Sequence, residues 1–152
     1  MIIESGATCE LCANVGGELV WEDTLCRVIL VGGREGALSP GYCRVIWGAH
    51  VGEMSDLPAQ ERRHLMGVVF AAEVAVRRLV RPHKINLASL GNVVPHLHWH
   101  VVPRWRDDSH FPAPVWTDPC RDAVARPLRI EAGILHDALV AALGEERGGG
   151  LA

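Results

Sequence analysis

The chain has 152 residues, 49% of them hydrophobic and 22% charged, with a formal net charge of -3. That length suits one domain spanning 1–152, the composition excludes wholesale disorder, and the weakly acidic balance excludes a broad electrostatic grip on nucleic acid. No apolar run approaches the ~18 residues of a membrane span, and Met1 to Gly6 lacks the cationic and then apolar pattern of a secretory signal. The expected compartment is the cytoplasm. Cysteine usage agrees with it: Cys9, Cys12, Cys26, Cys43 and Cys120 are odd in number and irregularly spaced, unlike a disulfide framework. Cys26 and Cys43 lie in apolar segments and read as small buried hydrophobes.

In chain order, Glu18 to Trp21 and Cys26 to Val31 read as two strands joined by a polar turn. Residues 32–39 form a glycine-rich loop, Pro40-Gly41 a turn, and Tyr42 to Trp47 a third strand. A helix is expected from Pro58 to Arg81, with Ser55 and Asp56 available as caps and Pro82 ending it. Leu65, Val69, Ala72, Val76 and Leu79 form its apolar stripe, and Glu73 and Arg77 stand in the order that favours an ion pair. Lys84 to Ser89 and His96 to Pro103 read as the fourth and fifth strands. Residues 104–127, rich in Pro, Asp and Trp, read as an ordered loop. A last helix is expected over 129–146, with Ile134, Leu135, Ala138, Leu139, Ala142 and Leu143 on one side and a flexible tail over 147–152. The order β-β-β-α-β-β-α with short turns points to the α+β class: an antiparallel sheet of about five strands, covered by a long helix.

Three of eight histidines fall within five residues, in His96-Leu97-His98-Trp99-His100-Val101-Val102. Strand alternation sends the imidazoles of His96, His98 and His100 to one face, toward a cleft or solvent, and Leu97, Trp99 and Val101 to the core. Neighbouring rings on that face are about 6.5–7 Å apart, so they can share one ligand. Imidazole serves as nucleophile, as acid or base near neutral pH, and as metal ligand. Three readings follow: attack of one histidine on a nucleotide phosphorus, a His-x-His metal site, or a polar strand face without a role. No carboxylate follows the row; Pro103 and Arg104 do, and a cation suits a phosphate better than a metal. The remaining histidines, His64, His83, His110 and His136, read as surface residues.

The run His96 to Val102, followed by Pro103-Arg104, resembles the signature of the histidine triad (HIT) family, alternating histidines with apolar residues. Pro40 to Ile46 resembles the family's proline-glycine strand. Asn86 to His96 and Phe111 to Trp116 resemble the bacterial branch often described as diadenosine tetraphosphate hydrolase-like. The resemblance covers roughly residues 9–117. It implies a HIT-like fold, a homodimer and a nucleotide substrate carrying adenine or another purine. It also implies cleavage at the α-phosphorus of a dinucleoside polyphosphate or nucleoside phosphoramidate, releasing a nucleoside monophosphate. His98, the middle histidine, would be the nucleophile, with His96 and His100 beside it. Asn86, Asn92 and Arg104 would contact phosphates, and catalysis would require no cofactor. The alternatives are a nucleotidyltransferase and a non-catalytic nucleotide-binding regulator; a metal-dependent hydrolase stands further back. Two departures stand out. Tyr42 occupies a position where some relatives carry histidine. The loop 32–39 is longer than usual where a ribose contact commonly lies, and its Glu35 reads as solvated.

Cys9-x-x-Cys12 lies near the N-terminus. Two cysteines alone are half a structural zinc site. In several bacterial histidine triad proteins the other two ligands are a histidine after the third strand and the first triad histidine. The resemblance thus implies a Cys₂His₂ site of Cys9, Cys12, His50 and His96, against the plainer reading of two reduced thiols and a polar loop histidine.

Overall fold

A computed structural model describes residues 8–148. A short helix α1 (Glu10–Ala13) precedes the hairpin of β1 (Glu18–Glu22) and β2 (Cys26–Leu30). Asp23 closes that hairpin by accepting hydrogen bonds from the backbone N–H groups of Leu25 at 2.8 Å and Cys26 at 2.9 Å. Helix α2 (Gly33–Leu38), strand β3 (Cys43–Trp47) and the long helix α3 (Ala59–Val80) follow. Strands β4 (Lys84–Ala88) and β5 (His98–Arg104) and helix α4 (Ala132–Gly148) complete the order. The sheet is antiparallel throughout, in the order β1-β2-β3-β5-β4. The α+β expectation holds.

Two strands carry almost the same sequence, Cys-Arg-Val-Ile-Leu in β2 and Cys-Arg-Val-Ile-Trp in β3. Their antiparallel register pairs Val28 with Val45 and Leu30 with Cys43 on one face. On the other face it sets Arg27 opposite Ile46 and Ile29 opposite Arg44. The first face carries the main core. Val28, Cys43, Val45, Leu97 and Val101 pack there against Leu65, Val69, Ala72 and Val76 of α3. The second face carries a smaller cluster of Cys9, Leu11, Ile29, Tyr42, Ile46 and Val102. The histidines lie on this second face, opposite α3.

Several boundaries differ from expectation, each for a local reason. Residues 33–38 form a helix, not a loop: Glu35, Ala37 and Leu38 favour it, and Gly36 lets it lie against the Val31 carbonyl oxygen, which a Cβ would overlap. The caps expected at Ser55 and Asp56 form their own 3-10 turn, Met54–Asp56, and α3 starts after Pro58. Its buried stripe takes in Val68, Ala71, Ala75 and Val80 as well, whereas the expected Leu79 is only half-buried. Among the described residues Glu73 and Arg77 make no ion pair; Arg78 reaches Glu145 of α4 instead, at 2.8 Å. Strand β5 starts at His98, not His96. Pro95 offers no N–H, His96 N–H turns back to the Val94 carbonyl, and Leu97 N–H goes to Val51, outside the ladder. Helix α4 begins three residues late and runs through Gly148, so the tail expected from residue 147 does not begin there, and residues 149–152 lie outside the described residues. Leu135, Leu139 and Ala142 are buried, whereas Ile134 is 49% exposed and leaves the predicted apolar side. Cys26 and Cys43 are buried as expected. No helix among the described residues is long and apolar enough to cross a membrane.

The packing of α4 gives a stability contrast. Leu139 is fully buried and Ile134 half exposed. Leu139→Ala is expected to cost about 2–4 kcal/mol by chemical denaturation, and Ile134→Ala under about 1 kcal/mol. Equal losses would contradict this helix orientation.

Candidate functional site

Pro40-Gly41 aims the chain into β3. Gly41 has φ 87°, and a Cβ there would meet Val80 Cγ1 at 3.2 Å. This turn brings Tyr42 onto the second face beside β5. The register of β3 with β5 pairs Arg44 with His100 and Ile46 with His98, so all four side chains share that face. The imidazoles are more enclosed than expected: His96, His98 and His100 are 0%, 8% and 5% exposed.

Backbone carbonyls accept but cannot donate, so they assign the ring protons. His98 Nδ1 lies 2.6 Å from the His96 carbonyl oxygen. Nδ1 therefore carries the proton and Nε2 keeps its lone pair. His96 Nε2 lies 2.6 Å from the Trp47 carbonyl oxygen, so this ring presents an unprotonated Nδ1. The Tyr42 hydroxyl lies 2.7 Å from His100 Nδ1. Tyr42 is 2% exposed; a hydroxyl can donate or accept, and we assign its proton to this nitrogen, which puts the His100 proton on Nε2. The His98 and His100 rings meet edge to face at 4.8 Å, and Trp116 caps His100 at 4.9 Å. Burial pushes His98 below the ordinary imidazole range against its hydrogen bond to His96, and the charge of Arg44 adds to the fall. Burial, followed by the charges of His98 and Arg44, pushes His100 down to about 3. Both rings are neutral at physiological pH.

The first histidine separates from the other two. Cys9 Sγ and Cys12 Sγ lie 3.5 Å and 3.4 Å from His96 Nδ1, and Cys12 Sγ lies 3.4 Å from His50 Nδ1. All four donor atoms fall within 4.8 Å of one another. Tetrahedral zinc, with bonds of about 2.3 Å to sulfur and about 2.0–2.1 Å to nitrogen, separates S from N by about 3.5 Å. The donor set fits zinc in ligand type and spacing. The Trp47 carbonyl supplies the outer hydrogen bond that turns His96 Nδ1 toward the thiols.

The expected phosphate contacts fare differently. Arg104 is 1% exposed. Its Nε and Nη2 donate to Asp108 at 2.8 and 3.0 Å, its Nη1 to Asn86 Oδ1 at 2.7 Å, and its Nη2 also to the Ala113 carbonyl at 2.8 Å. Arg104 thus braces the loop after β5, while Asn86 accepts from it through Oδ1 alone and keeps its amide N–H groups for other partners. Asn92 is exposed on the turn before β5. Asp108 also accepts from the N–H groups of His110 and Phe111, at 3.0 and 2.7 Å. Arg126 lies 4.2 Å over Trp105 and pairs with Asp107. These bonds order the loop and deliver Trp116 to His100. A small cleft of about 60 Å³ opens between α2 and this loop, lined by Glu35, Leu38, Tyr42, Ser109, His110 and Val115. Glu35 itself is paired with Arg44 at 3.4 Å rather than solvated alone.

Two of the four histidines expected at the surface are built into structure. His110 is half-buried at this cleft. His64 Nε2 lies 2.8 Å from Asp23 Oδ2 and 4.0 Å from Cys26 Sγ. Burial, with the Asp23 charge, pushes the Cys26 thiol up to about 12, so it stays protonated beside that ion pair. Sequence reasoning missed Arg44, Asp108 and Trp116. Asp108 lies at i+4 from Arg104, a spacing visible in the sequence; nothing there marks Arg44 above the other arginines.

Residues 14–107, more than half of the chain, match the HIT domain family model. The chain belongs to the HIT domain family. Over 79 residues this HIT protein is 34% identical to a Mycobacterium tuberculosis protein described as AP-4-A phosphorylase, a match covering 48% of the chain and 40% of that relative. The chain thus matches less than half of that relative's length. A histidine triad protein from Marinobacter aquaeolei VT8 shares 25% identity and a TM-score of 0.66, over 91% of this chain and 96% of that one. A zinc-bound histidine triad family protein from Mycobacterium smegmatis shares the fold at 21% identity and a TM-score of 0.57, over 95% of this chain and 99% of that one.

The Arg104–Asp108 pair ties the loop's order to pH. Burial alone raises the Asp108 carboxyl, but hydrogen bonds from Arg104 and from the loop N–H groups, with the guanidinium charge, bring it down to about 2. The stabilisation is therefore complete above the unfolded value of about 3.9 and is lost as pH falls toward 2. Asp108→Asn is expected to cost about 2–3 kcal/mol at pH 7 and to flatten the loss of stability between about pH 4 and 2. Thermal melts of both proteins across that range check it; parallel curves would refute it.

Proposed function

We infer that this HIT protein cleaves a nucleotide at its α-phosphorus through a covalent intermediate on His98. The observation that carries this reading is the tautomer pair: His98 offers a bare Nε2 while the adjacent His100 offers Nε2–H. In the first step the Nε2 lone pair of His98 attacks phosphorus. A P–N bond forms, the bond to the leaving group breaks, and its electron pair departs with that group. The Nε2–H of His100 donates a hydrogen bond to the departing atom. In the second step water attacks the same phosphorus, the pair returns to Nε2, and a proton passes to solvent. One hard displacement becomes two easier ones. The step needs no cofactor. The products are a nucleoside monophosphate and the leaving group, and Asn92 on the preceding turn and the Asn86 amide nitrogen are the expected phosphate contacts that remain.

Transfer to an acceptor other than water is the second reading. The name of the Mycobacterium tuberculosis relative, a phosphorylase, favours it. Both readings share the His98 intermediate and differ only in what resolves it. Release of nucleoside monophosphate from diadenosine tetraphosphate, followed by chromatography, is expected for the wild type and abolished in His98→Ala. Tyr42→Phe, which frees His100 Nδ1, is expected to slow release about tenfold, the worth of one hydrogen bond. Equal release by wild type and His98→Ala would refute the intermediate. Release that requires added phosphate would favour the second reading.

The Cys9, Cys12, His50 and His96 site is proposed to hold a structural zinc that ties α1 to the start of β5. The protein is further proposed to be a homodimer through α3, where Phe70 is 44% exposed, and an edge of the sheet. Native mass spectrometry is expected to give two chains with one zinc each, and Cys12→Ser to lose the metal. A metal-free monomer would refute both.

A further inference from the structure

Three arginines share the histidine face, and two of them are spent. Arg27 donates to the carbonyls of Leu11, Asn14 and Val15 and so holds the segment carrying Cys9 and Cys12. Arg104 holds the loop after β5. Arg44 is different. Its cross-strand partner is His100. Its side chain is 24% exposed, and its acidic partner Glu35 is 59% exposed at a long 3.4 Å. Its Nε is buried with no hydrogen-bond partner among the described residues. Its guanidinium lies 5.6 Å from the centre of the Tyr42 ring, next to the Tyr42–His100 hydrogen bond. A cation with an unused Nε donor thus stands directly across the strand pair from His100 and beside the Tyr42–His100 hydrogen bond. The weak, solvated Glu35 contact is one that a phosphate can displace.

We propose that Arg44 binds the phosphate next to the one attacked by His98, and so selects substrates with a phosphorylated leaving group, as in dinucleoside polyphosphates, over those that release an amine. This rests on the reading of His98 as nucleophile and narrows its substrate class. The leaving-group chemistry agrees. A phosphate departs as a stable anion and needs only charge and hydrogen bonds, which Arg44 and His100 Nε2–H supply. An amine must gain a proton on departure, and His100 is neutral.

The test separates one phosphate from two. Binding of AMP and ADP is measured by calorimetry for the wild type, Arg44→Met and Arg44→Lys, with circular dichroism as a check on folding. Arg44→Met is expected to weaken ADP about 10- to 100-fold while AMP stays within about threefold. Arg44→Lys, which keeps the charge and loses the fork, is expected to fall between them. In turnover, Arg44→Met is expected to lose at least about tenfold more kcat/KM on diadenosine tetraphosphate than on adenosine 5′-phosphoramidate. Equal weakening of AMP and ADP, no weakening of either, or a wild type that holds both alike would overturn the proposal. If Arg44→Met fails to fold, Arg44→Lys decides by the same comparison. A wild type that turns over neither substrate would sink the His98 reading, and the AMP–ADP comparison would still decide the role of Arg44.

Discussion

One proton organises the site: the one on His98 Nδ1, held by the carbonyl of His96. A carbonyl can only accept, so the tautomer is fixed without any other side chain, and Nε2 is left bare in a buried place. The bond exists because His96 leaves the ladder before β5 begins, its N–H turned back to Val94. Had the strand started at His96, its carbonyl would face a neighbouring strand instead of the ring two residues on. The same departure turns His96 toward Cys9, Cys12 and His50, with its other nitrogen tied to Trp47. The first histidine thus serves the metal-type cluster and, through its carbonyl, the second histidine. A side chain and a main-chain atom of one residue link the two halves of the site.

The sheet divides the remaining labour. One face is spent on packing against α3 and α4. The other is free to carry polar groups because a separate, smaller cluster and the loop after β5 shield it. Burying histidines this way lowers their affinity for protons, since desolvation penalises the charged ring. Arg44 deepens the effect by adding a fixed positive charge. The result is a pair of neutral imidazoles beside a permanent cation, an electrostatic arrangement that welcomes an anion and does not depend on histidine charge. Two other arginines on the same face are consumed in holding the segments that enclose it. Their guanidiniums reach carbonyls and carboxylates that no hydrophobic side chain could satisfy.

Much of this was legible in the sequence. Period-two alternation around His98 and His100, the apolar stripe of α3, and the spacing of Cys9 and Cys12 are local patterns. They dictate local geometry whatever the rest of the chain does, so the sequence by itself determined the strands, the long helix, the histidine row and the Cys9/Cys12 half of the candidate ligand set; His50 and His96 entered that set through the family resemblance. It did not determine which arginine is free. Arg27, Arg44 and Arg104 are chemically identical in the sequence, and only the tertiary structure assigns their partners: Leu11, Asn14 and Val15 for the first, Tyr42 and the solvated Glu35 for the second, Asp108, Asn86 and Ala113 for the third. Nor could it foresee that α2 would form from a glycine-rich segment, or that Ile134 would turn outward. The first depends on a backbone approach of Gly36 to the Val31 carbonyl that residue types do not announce, the second on the long-range seating of α4 on α3. Local propensity settles what a segment can become; long-range packing settles which side chains are used up in building the site and which remain free to act.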